Sequence, residues 1–326
     1  MGQGDELRIL VFGLAVVGVY AGAGWILFRR VRSRLRREPG ASSRLGRTCG
    51  TTVLALAVLG IGCAAWGFFV EPNRLTVTRV RMESARVPRG AAPIRIVHIT
   101  DLHCESVPRL EEQLPEAIAK ERPDLIAFTG DSLNTPAGLP VFQRCMSRIA
   151  SIAPTFVVKG NWDIWNVPGI ERFADTGVHE LDGTAARVTV RGTDVWIAGV
   201  PADQEALGGH ALAGVPHGVP TIFLFHHPYP EVVPDVDRSR VDLLLAGHLH
   251  GGQVALPLFG AIMTLSRHGK RYEHGLYEVG PMHLFVSRGI GMEGGRAPRI
   301  RFCAPPEIAV IEIISADDPR GGAGER

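Results

Sequence analysis

Cysteine is sparse in this chain and badly spaced for structural work. The five residues Cys49, Cys63, Cys104, Cys145 and Cys303 include no C-x-x-C pair, which excludes a zinc ribbon and a dense disulfide framework. A bridge among Cys104, Cys145 and Cys303 stays open for a domain outside the cytoplasm. No G-x-S-x-G is present, which removes the nucleophile elbow of the serine hydrolases. Internal repeats are also missing. The most informative lack is of charge: residues 9–28 carry none between Arg8 and Arg29, and residues 48–70 carry none between Arg47 and Glu71.

Each run is long enough to cross a hydrocarbon core of about 30 Å as a helix. Trp25, Trp66, Phe68 and Phe69 lie near their ends, where aromatic rings anchor at interfaces. The first run makes a poor cleaved signal, because Asp5 and Glu6 precede it where a signal peptide is positive. Between the runs, residues 29–47 hold eight Arg and one Glu. The positive-inside rule puts this short loop in the cytoplasm and everything after residue 70 outside; Arg74, Arg79, Arg81, Arg86 and Arg89 pull weakly the other way. The loop's net +7, against −1 for the first 28 residues, leaves −4 for residues 71–326. That part is no basic nucleic-acid binder, and no nucleic acid is expected as a partner.

The expected organisation is a two-helix anchor over 1–70, a linker with one edge strand over 71–92, a catalytic domain over 93–314 and a disordered tail over 315–326. Within the domain, apolar runs at 94–100, 124–129 and 155–159 read as buried strands, with helices at 108–120 and 139–149 between them. Strands alternating with helices imply βαβ units and a largely parallel core. A hairpin follows near 187–200, then buried strands at 221–225 and 242–246.

The stretch LLLAGHLHGGQV, residues 243–254, shows what these strands share. Its apolar run breaks at Gly247 and delivers His248 and His250 to the loop at the strand end, where ligands bind in open α/β sheets. Alone the pair is equally well a structural feature. Four other strand ends carry the same chemistry: Asp101 with His103, Asp131 after Gly130, Asn161 after Gly160, and His226. His98 has the wrong parity and reads as a core residue. Imidazoles, carboxylates and an amide suit a pair of divalent ions, Mn, Zn or Fe. Two such ions can lower the pKa of a water between them and clamp the oxygens of an in-line phosphoryl displacement, so no protein nucleophile is needed.

In this order, D-x-H, G-D, G-N, H and G-H-x-H, the motifs resemble the calcineurin-like metallophosphoesterase superfamily over about residues 93–310. The endings GHLHGGQV, VSRGIG and RFCAPPE are similar to its membrane-anchored bacterial branch. The resemblance implies a βαββαβ sandwich of two mixed sheets flanked by helices, here preceded by two transmembrane helices. It implies one metal on Asp101, His103 and His250, another on Asn161, His226 and His248, and Asp131 bridging. His226 is preferred to His227 because the family's ligand stands two residues before the proline.

One position departs from the pattern. The family reads G-N-H-[DE]; this chain reads Gly160-Asn161-Trp162-Asp163. The histidine normally assists the leaving group, help typically worth about 10²–10⁴ in rate. Asp163 is a catalytic candidate of open role, and His227 is a candidate to stand in. The resemblance implies that members cleaving lipid-linked pyrophosphates also lack this histidine, which suits a phosphodiester or pyrophosphate. A non-catalytic metal-binding scaffold is the alternative. The basic set Arg267, His268, Lys270, Arg271, Arg288, Arg296, Arg299 and Arg301 is a candidate for substrate phosphates or anionic headgroups, and equally for solvated loop charge. Tethering at a bilayer makes a lipid-borne phosphoester the economical substrate.

Overall fold

The computed structural model describes residues 4–36, 43–295 and 298–317. The middle of the arginine-rich loop, Arg296 and most of the expected tail lie outside the described residues.

The elements in order are α1 (Asp5–Arg36), α2 (Arg44–Ala65), β1 (Thr76–Ser84), β2 (Ile94–Ile99), α3 (Leu114–Glu121), β3 (Leu125–Phe128), α4 (Leu139–Ala150), β4 (Thr155–Val157), β5 (His179–Glu180), β6 (Thr184–Val190), β7 (Thr193–Gly199), α5 (Gly208–Leu212), β8 (Thr221–Leu224), β9 (Leu243–Ala246), β10 (Ala255–Leu256), β11 (Gly260–Ala261), β12 (Gly275–Val279), β13 (Met282–Val286) and β14 (Glu307–Ser315). The helices Asp5–Arg36 and Arg44–Asn73 are long and apolar enough to cross a membrane, and little of either is buried in the protein. They touch each other, with the Tyr20 hydroxyl donating to the Ala57 carbonyl.

Two six-stranded mixed sheets follow, ordered β1-β14-β2-β3-β4-β5 and β12-β13-β9-β8-β7-β6. The centre of each is parallel: β2 to β5 in the first, and β7, β8, β9 and β13 in the second. Strand periodicity sorts the side chains. Ile94 and Ile96 face the second sheet and meet Ile222, Leu224, Leu243 and Leu245 there. Val97 and Ile99 face outward and are covered by Leu114 and Ile118 of α3 and Phe142, Met146 and Ile149 of α4. The outer face of the second sheet carries Phe223, Leu244 and Ala246 under Ala211 and Leu212 of α5. Burial on both faces explains the absence of polar alternation, and each fully buried Ile, Leu or Phe contributes about 1.5–3 kcal/mol. His98 lies in the core, its Nε2 2.9 Å from the Thr129 hydroxyl.

One element starts later than its apolar spacing suggests. The helix expected from residue 108 begins at Leu114, because Pro115 fits the first turn. Farther inside, it would remove a hydrogen bond and clash, at about 3 kcal/mol. Residues 108–113 instead turn around buried Leu110, whose carbonyl accepts from the Gln113 and Leu114 amides.

Candidate metal centre

The parallel strands of both sheets end on one edge, and the polar residues after them converge there. Ligand atoms of Asp101, His103 and His250 lie within 4.8 Å of one another, as do those of Asp131, His226 and His248. The groups adjoin: His103 Nε2 is 3.6 Å from Asp131 Oδ2. Within them, His103 Nε2 is 3.3 Å from His250 Nε2, His250 Nε2 is 3.4 Å from Asp101 Oδ1, and His226 Nε2 is 3.3 Å from Asp131 Oδ2. Asn161 is buried beside them, and its Oδ1 has no hydrogen-bond partner.

The backbone is bent to do this. Asp101, His103, Asp131, His248 and His250 all adopt left-handed φ, between 44° and 72°. Each such residue costs about 1–3 kcal/mol and persists only where its surroundings enforce it. The Asp101 amide donates to the Gly130 carbonyl, and the His103 amide to the Asp131 carbonyl, stitching two ligand loops together. A Cβ on Gly160 would come 2.2 Å from Asp131 Oδ1, so only glycine lets the third loop approach.

Asp163 is the clamp under this arrangement. Its carboxylate accepts from the amides of Asp131 (2.9 Å), Ser132 (2.9 Å) and Gly160 (2.8 Å), from the Ser132 hydroxyl, and from buried Arg172. Those donors fill its acceptor sites. Trp162 donates its amide to Asp131 Oδ1 and sets its ring edge-on against His103, centroids 5.3 Å apart. The Glu293 carboxyl lies close to its indole. His227 is stacked on Tyr229 and packs edge-on against His248, centroids 4.4 Å apart.

One further contributor, Glu293, was not among the sequence candidates, and another, Arg301, was expected among groups for substrate phosphates or headgroups but lies behind a histidine instead. Arg301 is completely buried, donates to the carbonyls of Arg288, Gly291 and Ala304, and lies 3.3 Å from His250 Nδ1. Glu293 reaches the wall of the site from a glycine-rich loop, and its only sequence signal is position within that loop. Burial and the Asp131 charge push its carboxyl upward, against the nearby Trp162 indole, which acts in the other direction. Most of the basic set is spent elsewhere: Arg267 on Glu205 and Glu231, His268 on Glu231, Lys270 on Glu273, Arg288 on Glu307 and Arg299 on Glu105.

The site's field favours cations. Burial raises Asp101 to about 7, reinforced by Asp131 and opposed by His226. Burial acts against ionisation of Asp131 too, but His226, His103 and His248 outweigh it and hold that carboxyl below the usual range. His226 shows the converse: despite burial, Asp131 and Asp101 raise it to about 9. Burial lowers His103 to about 4 and His248 to about 3. Metal ions require neutral imidazoles and ionised carboxylates, so His103 and His248 are already in the ligating state, whereas a cation would have to displace the protons that His226 and Asp101 retain.

Residues 94–252 match the calcineurin-like phosphoesterase family. A metallophosphoesterase of Bacillus subtilis, YkuE, is 30% identical over 76% of this chain and 89% of its own. Phosphodiesterase YaeI of Escherichia coli is 31% identical over 76% and 91%. UDP-2,3-diacylglucosamine pyrophosphatase LpxG of Chlamydia trachomatis is 25% identical over 81% and 96%. The chain belongs to the calcineurin-like metallophosphoesterase family. As a calcineurin-like metallophosphoesterase it is a phosphoester hydrolase, and the α/β sandwich agrees with the expected fold. The family implies divalent metal ions, and the donor set fits them. The unpartnered Asn161 Oδ1 and the His226 Nε2, close to a carboxylate without hydrogen-bond geometry, are buried lone pairs that a cation would satisfy. The Thr129 carbonyl, 2.7 Å from His226 Nδ1, takes that ring's proton and leaves Nε2 free to ligate.

Proposed function

We propose that this protein is a membrane-anchored phosphoesterase with a dinuclear centre, acting on a phosphodiester or pyrophosphate carried by a lipid. The observation that carries the dinuclear reading is the pair of adjoining ligand groups, with Asp131 between them. Asp101, His103 and His250 would hold one ion, Asn161, His226 and His248 the other, and Asp131 both. Bound there, two divalent ions supply a nucleophilic hydroxide at neutral pH and charge stabilisation for the phosphoryl oxygens.

The chain's own residues do the rest. Asp163 and Arg172 hold two ligand loops in register, so Asp163 is a positioning residue. The Thr129 carbonyl sets the tautomer of His226. Trp162 cannot pass a proton to a leaving group, and it fills the wall beside His103 with an apolar ring. Glu293, beside that indole, is the carboxyl we place as proton donor. A phosphate leaving group needs less such help than an alkoxide, which favours pyrophosphates and activated diesters over alkyl monoesters. The relatives named phosphodiesterase and pyrophosphatase support the same substrate classes.

The lipid part rests on α1 and α2, read as a membrane hairpin with the catalytic domain outside the cytoplasm. The test is activity of the full chain in lipid nanodiscs, loaded with manganese. Bis-p-nitrophenyl phosphate, a lipid-linked pyrophosphate and an alkyl phosphomonoester would be compared. Turnover of the first two above the third is expected. Two bound metals per chain without turnover would establish the scaffold alternative instead.

A further inference from the structure

The loop at residues 256–259, Leu-Pro-Leu-Phe, joins β10 to β11 and breaks two rules at once. Leu258 is 110% exposed, the extreme of the exposed large apolar side chains, and Phe259 is 49% exposed. Leu258 also has a φ of 65°, a conformation that favours glycine or asparagine in a solvated turn. A water-facing tip has no use for a leucine there.

The base of this hairpin is bonded directly to α1 and, through residues 301–302, to the segment that follows α2. Arg8 Nε of α1 donates to the Ile262 carbonyl at 3.1 Å, and Asp5 accepts from the Thr264 and Leu265 amides at 3.3 Å. On the other side, the Ala255 amide donates to the Phe302 carbonyl, and the neighbouring Arg301 amide donates to the Gly67 carbonyl at the end of α2. Arg8 is the last charge before the apolar run that starts at Ile9. The tip is three to four residues from Ile262, so it stays within roughly 13 Å of the level where the helix turns apolar. Lys270 completes an interfacial pattern, its Nζ 4.1 Å above the Phe259 ring and bonded to the Ala261 carbonyl.

We propose that residues 256–259 insert into the bilayer that holds α1 and α2, placing the metal centre against the headgroup layer. The inference rests on the membrane-anchored reading above. It also deepens that reading, because β10 follows His250 by only five residues and the ligand loop and the tip form one continuous segment. A substrate whose acyl chains remain in the bilayer would then offer its phosphate to the site without leaving the membrane.

The test uses the full chain in phosphatidylcholine nanodiscs, with Cys49, Cys63 and Cys303 changed to Ser. An environment-sensitive fluorophore is attached at Leu258→Cys or, as control, at Val236→Cys; Val236 is 84% exposed. A blue-shifted label at 258, quenched by lipid-borne quencher, with a solvent-like label at 236, is expected. Equal, solvent-like signals at both positions overturn the proposal. In parallel, Leu258→Ser with Phe259→Ser should lower kcat/KM for a lipid-linked pyrophosphate about tenfold relative to bis-p-nitrophenyl phosphate. An unchanged ratio also counts against the proposal. If the unsubstituted chain hydrolyses neither substrate, the phosphoesterase reading fails, while the fluorophore still decides the membrane contact.

Discussion

At the residue scale, the centre depends on groups that never touch substrate. Asp163 and Arg172 are both fully buried, and Asp163 gathers amides from two ligand loops as well as the guanidinium. Asp163→Asn leaves Arg172 without its counter-charge and turns an amide N–H toward backbone donors. Removing one partner of a buried pair costs about 3–5 kcal/mol. The variant should melt well below the parent by circular dichroism and hold metal more weakly, with Asp163→Glu no full rescue. Glu293 has the opposite profile, since it lies on the wall and props up no backbone. Glu293→Gln should leave the melting temperature within a degree or two and slow alkyl phosphodiesters about tenfold or more. Aryl diesters, with good leaving groups, should change little. Equal losses on both classes would remove it from the proton path. The residues that converge on the candidate centre were legible in sequence because each follows a buried apolar run. Glu293 was not, and Arg301 was read only as a phosphate-binding candidate, since both enter from the C-terminal loops and nothing local in a sequence reports which distant histidine or indole a loop will meet.

At the scale of elements, the strands and α4 were legible from apolar runs bounded by glycine and polar residues. The late start of α3 was decided by a single proline. The left-handed φ values at five strand-end residues had only a weak local signal, because aspartate and histidine adopt them more often than most residues but do not announce them as glycine does. The junction of α2 with the domain is likewise a tertiary fact. Trp66 bonds Glu71 through its indole, Glu71 accepts the Ala304 amide, and the Gly67 carbonyl accepts the Arg301 amide. A Cβ on Gly67 would come 2.8 Å from Ile300 and 3.0 Å from the Arg301 carbonyl. Gly67→Val therefore has to push this segment off the helix, and Arg301 is the residue behind His250. Activity on bis-p-nitrophenyl phosphate should fall severalfold and the manganese concentration for half-activation should rise. Unchanged metal dependence would show that the helix junction and the metal centre are mechanically separate.

At the scale of the whole molecule, the contacts sharpen an argument that composition left weak. The positive-inside rule put residues 29–47 in the cytoplasm, but five arginines soon after the second apolar run blurred the asymmetry. In the structure, Arg79 pairs with Glu121, Arg81 with Glu312 and Arg86 with Asp242, so they belong to the folded domain's own charge balance. More decisive is where the helices attach. The start of α1 is fixed through Asp5 to Thr264 and Leu265, and the end of α2 through Gly67 to Arg301. Both ends that carry the domain are thus on one side. The arginine-rich connection is at the other end of helices that rise about 1.5 Å per residue, some 30 Å or more away. If the pair spans the bilayer, domain and arginine loop cannot share a side, and the positive-inside rule then predicts the loop in the cytoplasm and the domain outside. Native thiols report the outcome. Cys303 is exposed on the domain, Cys104 and Cys145 are buried in it, and Cys49 lies in the first turns of α2 beside the arginine loop. A membrane-impermeant maleimide applied to right-side-out vesicles should label Cys303 and spare Cys49 until the membrane is permeabilised. The reverse order would place the metal centre in the cytoplasm and restrict its lipid substrates to the inner leaflet.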